Sequence, residues 1–164
     1  SWARCFYFSF RLCLLLGKDE TSQISSEEAL ELRVMTPLLK LFTAKECIRV
    51  TSEVIEGFGG AGYIEDTGLP RLLRDAQVFS IWEGTTNVLS LDFVRALNKS
   101  SGADEWFRKK VSDLCAMRGG LETQFHQDRI RTILLNTPPD GRSARARDLA
   151  LSFAYLYAES LRNP

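Results

Sequence analysis

Apolar residues recur at steps of three and four along most of the chain, and no segment is strand-rich. The clearest run is Leu30, Val34, Leu38, Leu41, Ala44, Ile48, Thr51 and Ile55, which predicts one long helix. Ser25 and Glu28 have capping-box spacing and open it; Gly57 and the Gly59-Gly60 pair close it. Pro37 lies inside and predicts either a kink or a later start. This helix, Glu28 to Gly57, carries apolar residues on more than one face, so it should be the longest and packed centrally. Before it, a helix from Trp2 to Leu16 should stop at Gly17, with Lys18 to Ser26 as a polar loop. After it, Gly59 to Gly68 reads as a tight irregular loop, and Pro70 as the first turn of a short helix reaching Ala76. Val78 to Trp82 reads as an extended crossing. A helix over Gly84 to Leu97 should bury Val88, Leu91, Val94 and Leu97. Helices over Ala103–Arg118 and Leu121–Asn136 are split by Gly119-Gly120, and Thr137 to Gly141 is a loop. The last helix, Arg142 to Leu161, carries Leu149, Phe153, Leu156 and Tyr157. The expected fold class is all-α, a helical bundle of five to seven helices.

Composition narrows the function. The 164 residues make one ordinary domain, and 45% hydrophobic with 26% charged residues argues against wholesale disorder. Twenty-one basic residues balance twenty-one acidic ones, so nucleic acid is not favoured as a partner. Four cysteines form no CxxC pair and His126 is the one histidine, which disfavours a metal site and Ser-His-Asp hydrolysis. The apolar run Cys5 to Leu16 is interrupted by Arg11 and is too short for a membrane span, which takes about 20 residues. Arg4 precedes that run, but no small-x-small cleavage site follows, so it reads as a buried helix and not a signal peptide.

The chemistry concentrates between Glu56 and Arg95, in FGGAGYIEDTGLPRLLRDAQVFSIWEGTTN. Gly59, Gly60 and Gly62 either turn the chain or let backbone approach something bulky. Thr85 and Thr86 fall in the first turn of a helix, where free amides and the helix dipole suit a phosphate. Glu83 stands just before that helix, as a cap or as a base. Tyr63 and Trp82 read as core aromatics, and Arg74-Asp75 as an ion pair bracing the loop. Arg95 reads as a brace for Glu83 or as part of a solvated face. His126 reads as surface, and Arg142, Arg145 and Arg147 as a charged helix start.

In register, Gly59-Gly60, Tyr63, Arg74-Asp75 and Trp82-Glu83-Gly84-Thr85 resemble the C-terminal helical domain of the acyl-CoA dehydrogenase flavoenzymes. The similarity is firm from Leu30 to Leu97. The runs TPLLKLFTAK, DTGLPRLLRDA and IWEGTTNVLSLD resemble the branch containing the bacterial adaptive-alkylation-response flavoprotein. The resemblance implies FAD as cofactor and α,β-dehydrogenation of an acyl-CoA thioester. Glu83 matches the base that takes the α-proton while a hydride leaves the β-carbon. The backbone N–H of Glu83 would hydrogen-bond the thioester oxygen, an oxyanion-type stabilisation. Thr85, Gly60 and Glu56 match positions at the flavin nucleotide, the latter two reaching that of another subunit, and Gly84 matches the substrate site. Mainstream members more often carry Gln where Glu56 stands. The implied partners are an acyl-CoA, a homodimer or homotetramer and an electron-transfer flavoprotein, with no membrane. The implied location is the mitochondrial matrix in a eukaryote or the cytoplasm in a bacterium.

Family members also have an N-terminal helical domain and a β-domain, which this chain lacks. Residues 1–10 therefore read as a foreign or truncated start and 11–164 as the C-terminal-like domain. Such a piece would be inactive alone. The alternatives are a non-catalytic alkylation-response-type flavoprotein and a bare helical dimerisation module.

Overall fold

A computed structural model describes residues 2–162. Of the two expected stretches, Ser1 and residues 163–164 lie outside it. The described residues form eight α-helices and no strand, more helices than the five to seven expected because one is a single turn. They are α1 (Trp2–Glu20), α2 (Ser26–Gly57), α3 (Gly60–Tyr63), α4 (Leu69–Val78), α5 (Thr86–Lys99), α6 (Ala103–Ala116), α7 (Leu121–Asn136) and α8 (Ala146–Ser160). Short 3₁₀ segments, Glu65–Thr67 and Pro139–Arg145, precede α4 and α8. The second fills most of the expected Thr137–Gly141 loop and delays the last helix to Ala146.

The bundle is organised on α2. Its capping box forms as read: Glu28 N–H donates to Ser25 Oγ at 3.2 Å and Ser25 N–H to the Glu28 carboxylate at 3.0 Å. The helix then runs 32 residues without a break, so Pro37 does not mark a later start. Pro37 leaves one carbonyl without its usual donor, and the Thr36 hydroxyl bonds back to the Leu32 carbonyl at 2.6 Å one turn away. Along α2, Val34, Met35, Leu38, Leu41 and Ala44 are buried. Ile48, Thr51 and Ile55 are only half-buried, so the core face fades toward the C-terminal end. The helix packs on α1, α4, α5 and α8. The most buried element is α8, where Leu149, Phe153, Leu156 and Tyr157 are all interior. Phe153 anchors an aromatic cluster, with ring centroids 4.9 Å from Phe107, 5.8 Å from Phe93 and 6.4 Å from Trp106.

Several local expectations are corrected. Gly17 does not end α1, which gains a turn to Glu20. A single glycine costs a helix interior only about 1 kcal/mol, and the ion pair of Lys18 with Glu28 ties that turn to α2. Val78 to Trp82 is a run of turns, not an extended crossing: Ser80, Ile81 and Trp82 donate to carbonyls of Gln77 and Val78. On α5 the buried stripe is Thr86, Ser90, Phe93, Val94 and Leu97, while Val88 and Leu91 are exposed. Phe93, which the sequence reading left out, takes the core position, and the face that it shares with Thr86, Ser90 and Leu97 leaves Val88 and Leu91 outside.

Three charged residues sit in the core because each has partners. Glu31 accepts two bonds from Arg11, at 3.1 and 2.7 Å, and one from the Tyr157 hydroxyl. Burial alone would push the Glu31 carboxyl up, but the donors outweigh it and hold it below the usual range. Arg4 lies against the Tyr155 ring and within 4.0 Å of carboxylate oxygens on Glu46, Glu122 and Glu159. Arg142 is almost wholly buried, over the Phe107 ring and paired with Asp104, and so is not part of a solvated helix start. His126 is not a surface residue either. It is half-buried, stacked on Tyr155 at 4.2 Å, with Nδ1 3.1 Å from Ser152 Oγ.

Two outcomes follow from these buried groups. Glu31→Gln keeps the shape but leaves Arg11 without its counter-charge, and should lower stability by about 1–3 kcal/mol in urea unfolding. Burial, aided by Arg129 and Arg4, lowers the His126 pKa below 6.5 despite Glu122. The folded state therefore holds this imidazole neutral, so its contribution is complete above about pH 6.5 and is lost as pH falls below that value. Thermal unfolding from pH 7 to 5 should show a falling Tm, and His126→Gln should flatten that fall.

Candidate functional site

Of the sequence-predicted residues, Glu83 and Glu56 each line a groove beside α2, while Gly60, Gly84 and Thr85 are their chain neighbours outside the linings. The first, about 450 Å³, is lined by Lys40, Thr43, Ala44 and Cys47 of α2 and by Phe79, Trp82 and Glu83 of the turn after α4. Positions 40, 43, 44 and 47 share one helix face. That periodic signal, which starts inside the run TPLLKLFTAK and ends two residues beyond it, was open to sequence reasoning, yet Lys40 and Cys47 were not among its candidates. The Lys40 ammonium donates to the carbonyl oxygen of Phe79 and, at 2.8 Å, to that of Trp82.

Glu83 follows directly. Its backbone has φ +55, a left-handed conformation that residues with a side chain seldom adopt. Gly84 is next at φ +117, where an added Cβ would also press on Leu89 at 3.1 Å. Thr85 then takes the N-cap position of α5, but its side chain makes no capping bond. Glu83 is therefore not an N-cap; it lies exposed on the turn, two residues before Thr85. Arg95 pairs with Asp92 at 3.3 Å and does not brace Glu83.

The second groove, about 600 Å³, is lined by Ile55, Glu56, Gly59, Gly62, Tyr63, Arg74 and their neighbours. Gly60 opens the single-turn α3 at its rim. Gly62 is the glycine that the packing requires: a Cβ there would lie 2.2 Å from the Ile55 carbonyl oxygen. The ion pair Arg74-Asp75 does not form. Arg74 instead makes a paired contact with Glu65, at 2.9 and 3.0 Å, and Asp75 faces Arg71 at 3.5 Å. Neighbours on a helix point different ways, whereas Arg71 and Asp75 are one turn apart. Tyr63 and Trp82 are 85% and 63% exposed, so neither is a core aromatic.

The fold thus unites Glu83, Gly84 and Thr85 on one turn and Glu56 and Gly60 on another. The two grooves share no lining residue, and Cys47 and Ile55 lie about 12 Å apart along α2 at 1.5 Å per residue. Among the described residues no cluster of His, Cys, Asp or Glu could hold a metal, and no helix is long and apolar enough to cross a membrane.

Residues 18–97, from the last turn of α1 into α5, match the family model for the acyl-CoA dehydrogenase C-terminal domain. Those residues carry the C-terminal domain of the acyl-CoA dehydrogenase family. It is 52% identical over 105 residues to acyl-CoA dehydrogenase family member 11 of Caenorhabditis elegans, a stretch covering 64% of this chain and 17% of that protein. It is 44% identical over 91 residues to the putative acyl-CoA dehydrogenase AidB of Escherichia coli, covering 56% of this chain and 17% of that one. The crystal structure of Caenorhabditis elegans ACDH-11 in complex with C11-CoA superposes with a TM-score of 0.78 at 36% identity, over 97% of this chain and 29% of that one. The chain therefore spans under a third of the length of these dehydrogenase relatives.

Gly62 gives this site its sharpest test. Gly62→Ala should displace the Gly60–Thr67 turns from α2 and cost about 1–3 kcal/mol, the usual range for overpacking. Limited proteolysis should then cut first within residues 59–68, and the aromatic core around Phe153 should be unchanged by near-ultraviolet circular dichroism.

Proposed function

We propose that this domain supplies the base for FAD-dependent α,β-dehydrogenation of an acyl-CoA thioester, and that the chain alone is inactive. The observation that carries the reading is the conformation of Glu83. A carboxylate at positive φ, at the lip of a groove and next to a bare glycine, is held out where another molecule can reach it. In this reading the Glu83 carboxylate accepts the α-proton while its own N–H donates to the thioester oxygen, where negative charge develops. Gly84 leaves room for the thioester beside the base. The relative crystallised with C11-CoA supports an acyl-CoA as the substrate class.

The residues present fit the edges of a flavin nucleotide. The Thr85 hydroxyl is not spent on capping its helix, and Gly60 presents backbone with no side chain in the way of a ligand. Glu56 suits a ribose hydroxyl, which can donate to it, and not a phosphate, whose charge it would repel. Bound FAD would supply the acceptor for the β-hydride. Because the two grooves are separate and open, one copy of this domain encloses neither ligand, and tight binding needs most of a ligand's surface buried. A second subunit and further protein would complete both sites. The bare apolar face of α1, with Trp2, Phe6, Phe10 and Leu14 exposed, supports self-association of the isolated chain.

The test joins this chain to the N-terminal portion of the Caenorhabditis elegans relative. Glu83→Gln in that chimera should slow flavin bleaching by acyl-CoA at least about 10²-fold, as expected for loss of a general base, with flavin content unchanged. The chain alone should purify without stoichiometric flavin. Bleaching at a near-parental rate would place the base elsewhere, and a yellow isolated chain would overturn the shared-site reading.

A further inference from the structure

We propose that Lys40 is the positioning residue that aims the backbone N–H of Glu83, by holding the carbonyl oxygen on the other side of the same peptide plane. The inference rests on the reading of Glu83 given above and concerns how that residue is oriented.

The turn from Phe79 to Gly84 has backbone support at its beginning, where Ser80, Ile81 and Trp82 donate to the end of α4. Its carbonyl groups need donors of their own. Phe79 is the C-cap of α4, and α4 has no basic residue in its last turn to meet its negative end. Lys40, reaching across from α2, supplies that cation, and takes the Trp82 carbonyl with the same ammonium. Two carbonyls three residues apart thus converge on one charged donor.

The consequence is geometric. The Trp82 C=O and the Glu83 N–H belong to one planar peptide, which is trans because the described chain contains no cis bond. In a trans peptide these two groups point in opposite directions. Fixing the oxygen toward Lys40 therefore fixes the Glu83 N–H away from it. A charged donor on the oxygen also polarises the peptide and makes its N–H a stronger donor. The positive φ of Glu83 then sets where the carboxylate leaves that plane. Both functions assigned to Glu83, the proton acceptor and the amide donor, are referred to α2 through one lysine. Lys40 lines the groove together with Glu83, yet forms no ion pair within 4.0 Å of it, so its contact is with the backbone and not with the base.

Nuclear magnetic resonance on the chain itself tests this. In the unmodified protein, scalar coupling across the hydrogen bonds should link Lys40 Nζ to the carbonyl carbons of Phe79 and Trp82. The Glu83 amide should have an order parameter near 0.85, that of a rigid backbone. Lys40→Met should drop it below about 0.6, the range of a flexible segment, while amides of α8 keep theirs. Lys40→Arg retains donors and charge and should restore at least half of the loss. Absence of the coupling, a rigid Glu83 amide in Lys40→Met, or loss of order throughout α8 would each overturn the proposal. These measurements read the peptide plane whether or not Glu83 is a base. Their failure leaves the bleaching test of Glu83→Gln untouched, and the reverse holds as well.

Discussion

The buried carboxylate of Glu31 is the fixed point of this bundle. It sits on α2, takes both arms of Arg11 from α1, and accepts the hydroxyl of Tyr157 from α8. Two consecutive helices and a third from the far end of the chain meet there, and an ionised group in the interior tolerates only the arrangement that satisfies it. Apolar packing between α1, α2 and α8 favours contact, but permits sliding along the helix axes. The triad fixes the register. Both grooves then lie along the same rod: Lys40 is about 14 Å further along α2, and Ile55, against which Gly62 packs, about 36 Å, at 1.5 Å per residue.

This explains which parts of the structure were legible in the sequence. The start of α2 was local information, since Ser25 and Glu28 satisfy one another within four residues. The Gly84-Thr85 boundary before α5 was equally local, and the strength of the glycine loop as a motif lay in its spacing. The buried contact of Glu31 was not legible, because Tyr157 lies 126 positions away and no periodicity joins them. Arg142 and His126 were misread for the same reason. Their partners, Asp104 and Ser152, lie 38 and 26 positions away on other elements. A charged residue beside other charged residues looks solvated until its long-range partner is known.

The exposed aromatics failed differently. Tyr63 and Trp82 are large and apolar, and a lone domain normally buries such residues. Here they stand out from the two turns that flank α4, together with Phe79 and Ile81, and Leu72 of α4 itself is exposed beside them. The turn before α4 is held by polar contacts, Thr67 to the Ala61 carbonyl at 2.8 Å and Arg74 to Glu65, and the turn after it by Lys40, so their shape does not depend on burying their aromatic side chains. A rigid turn that leaves its aromatics outward is suited to contact with another surface, which supports a site completed by more than this domain.

The turn at Glu83 shows how such a conformation is kept. A residue with a side chain at positive φ costs roughly 1–3 kcal/mol, and persists only where its surroundings over-determine it. Downstream, Gly84 removes the clash with Leu89 that a side chain would cause, and α5 begins immediately. Upstream, α4 ends in carbonyls with no cation of its own, and Lys40 provides one from a helix that began its course at Ser25. Hydrogen bonds from a charged donor are worth about 1.5–3 kcal/mol each, enough to offset the strain. The conformation of Glu83 is thus not stored in the motif that signals it. Trp82-Glu83-Gly84-Thr85 names the position, but its geometry is imposed by a residue 43 positions earlier, through a helix whose own register depends on a buried carboxylate.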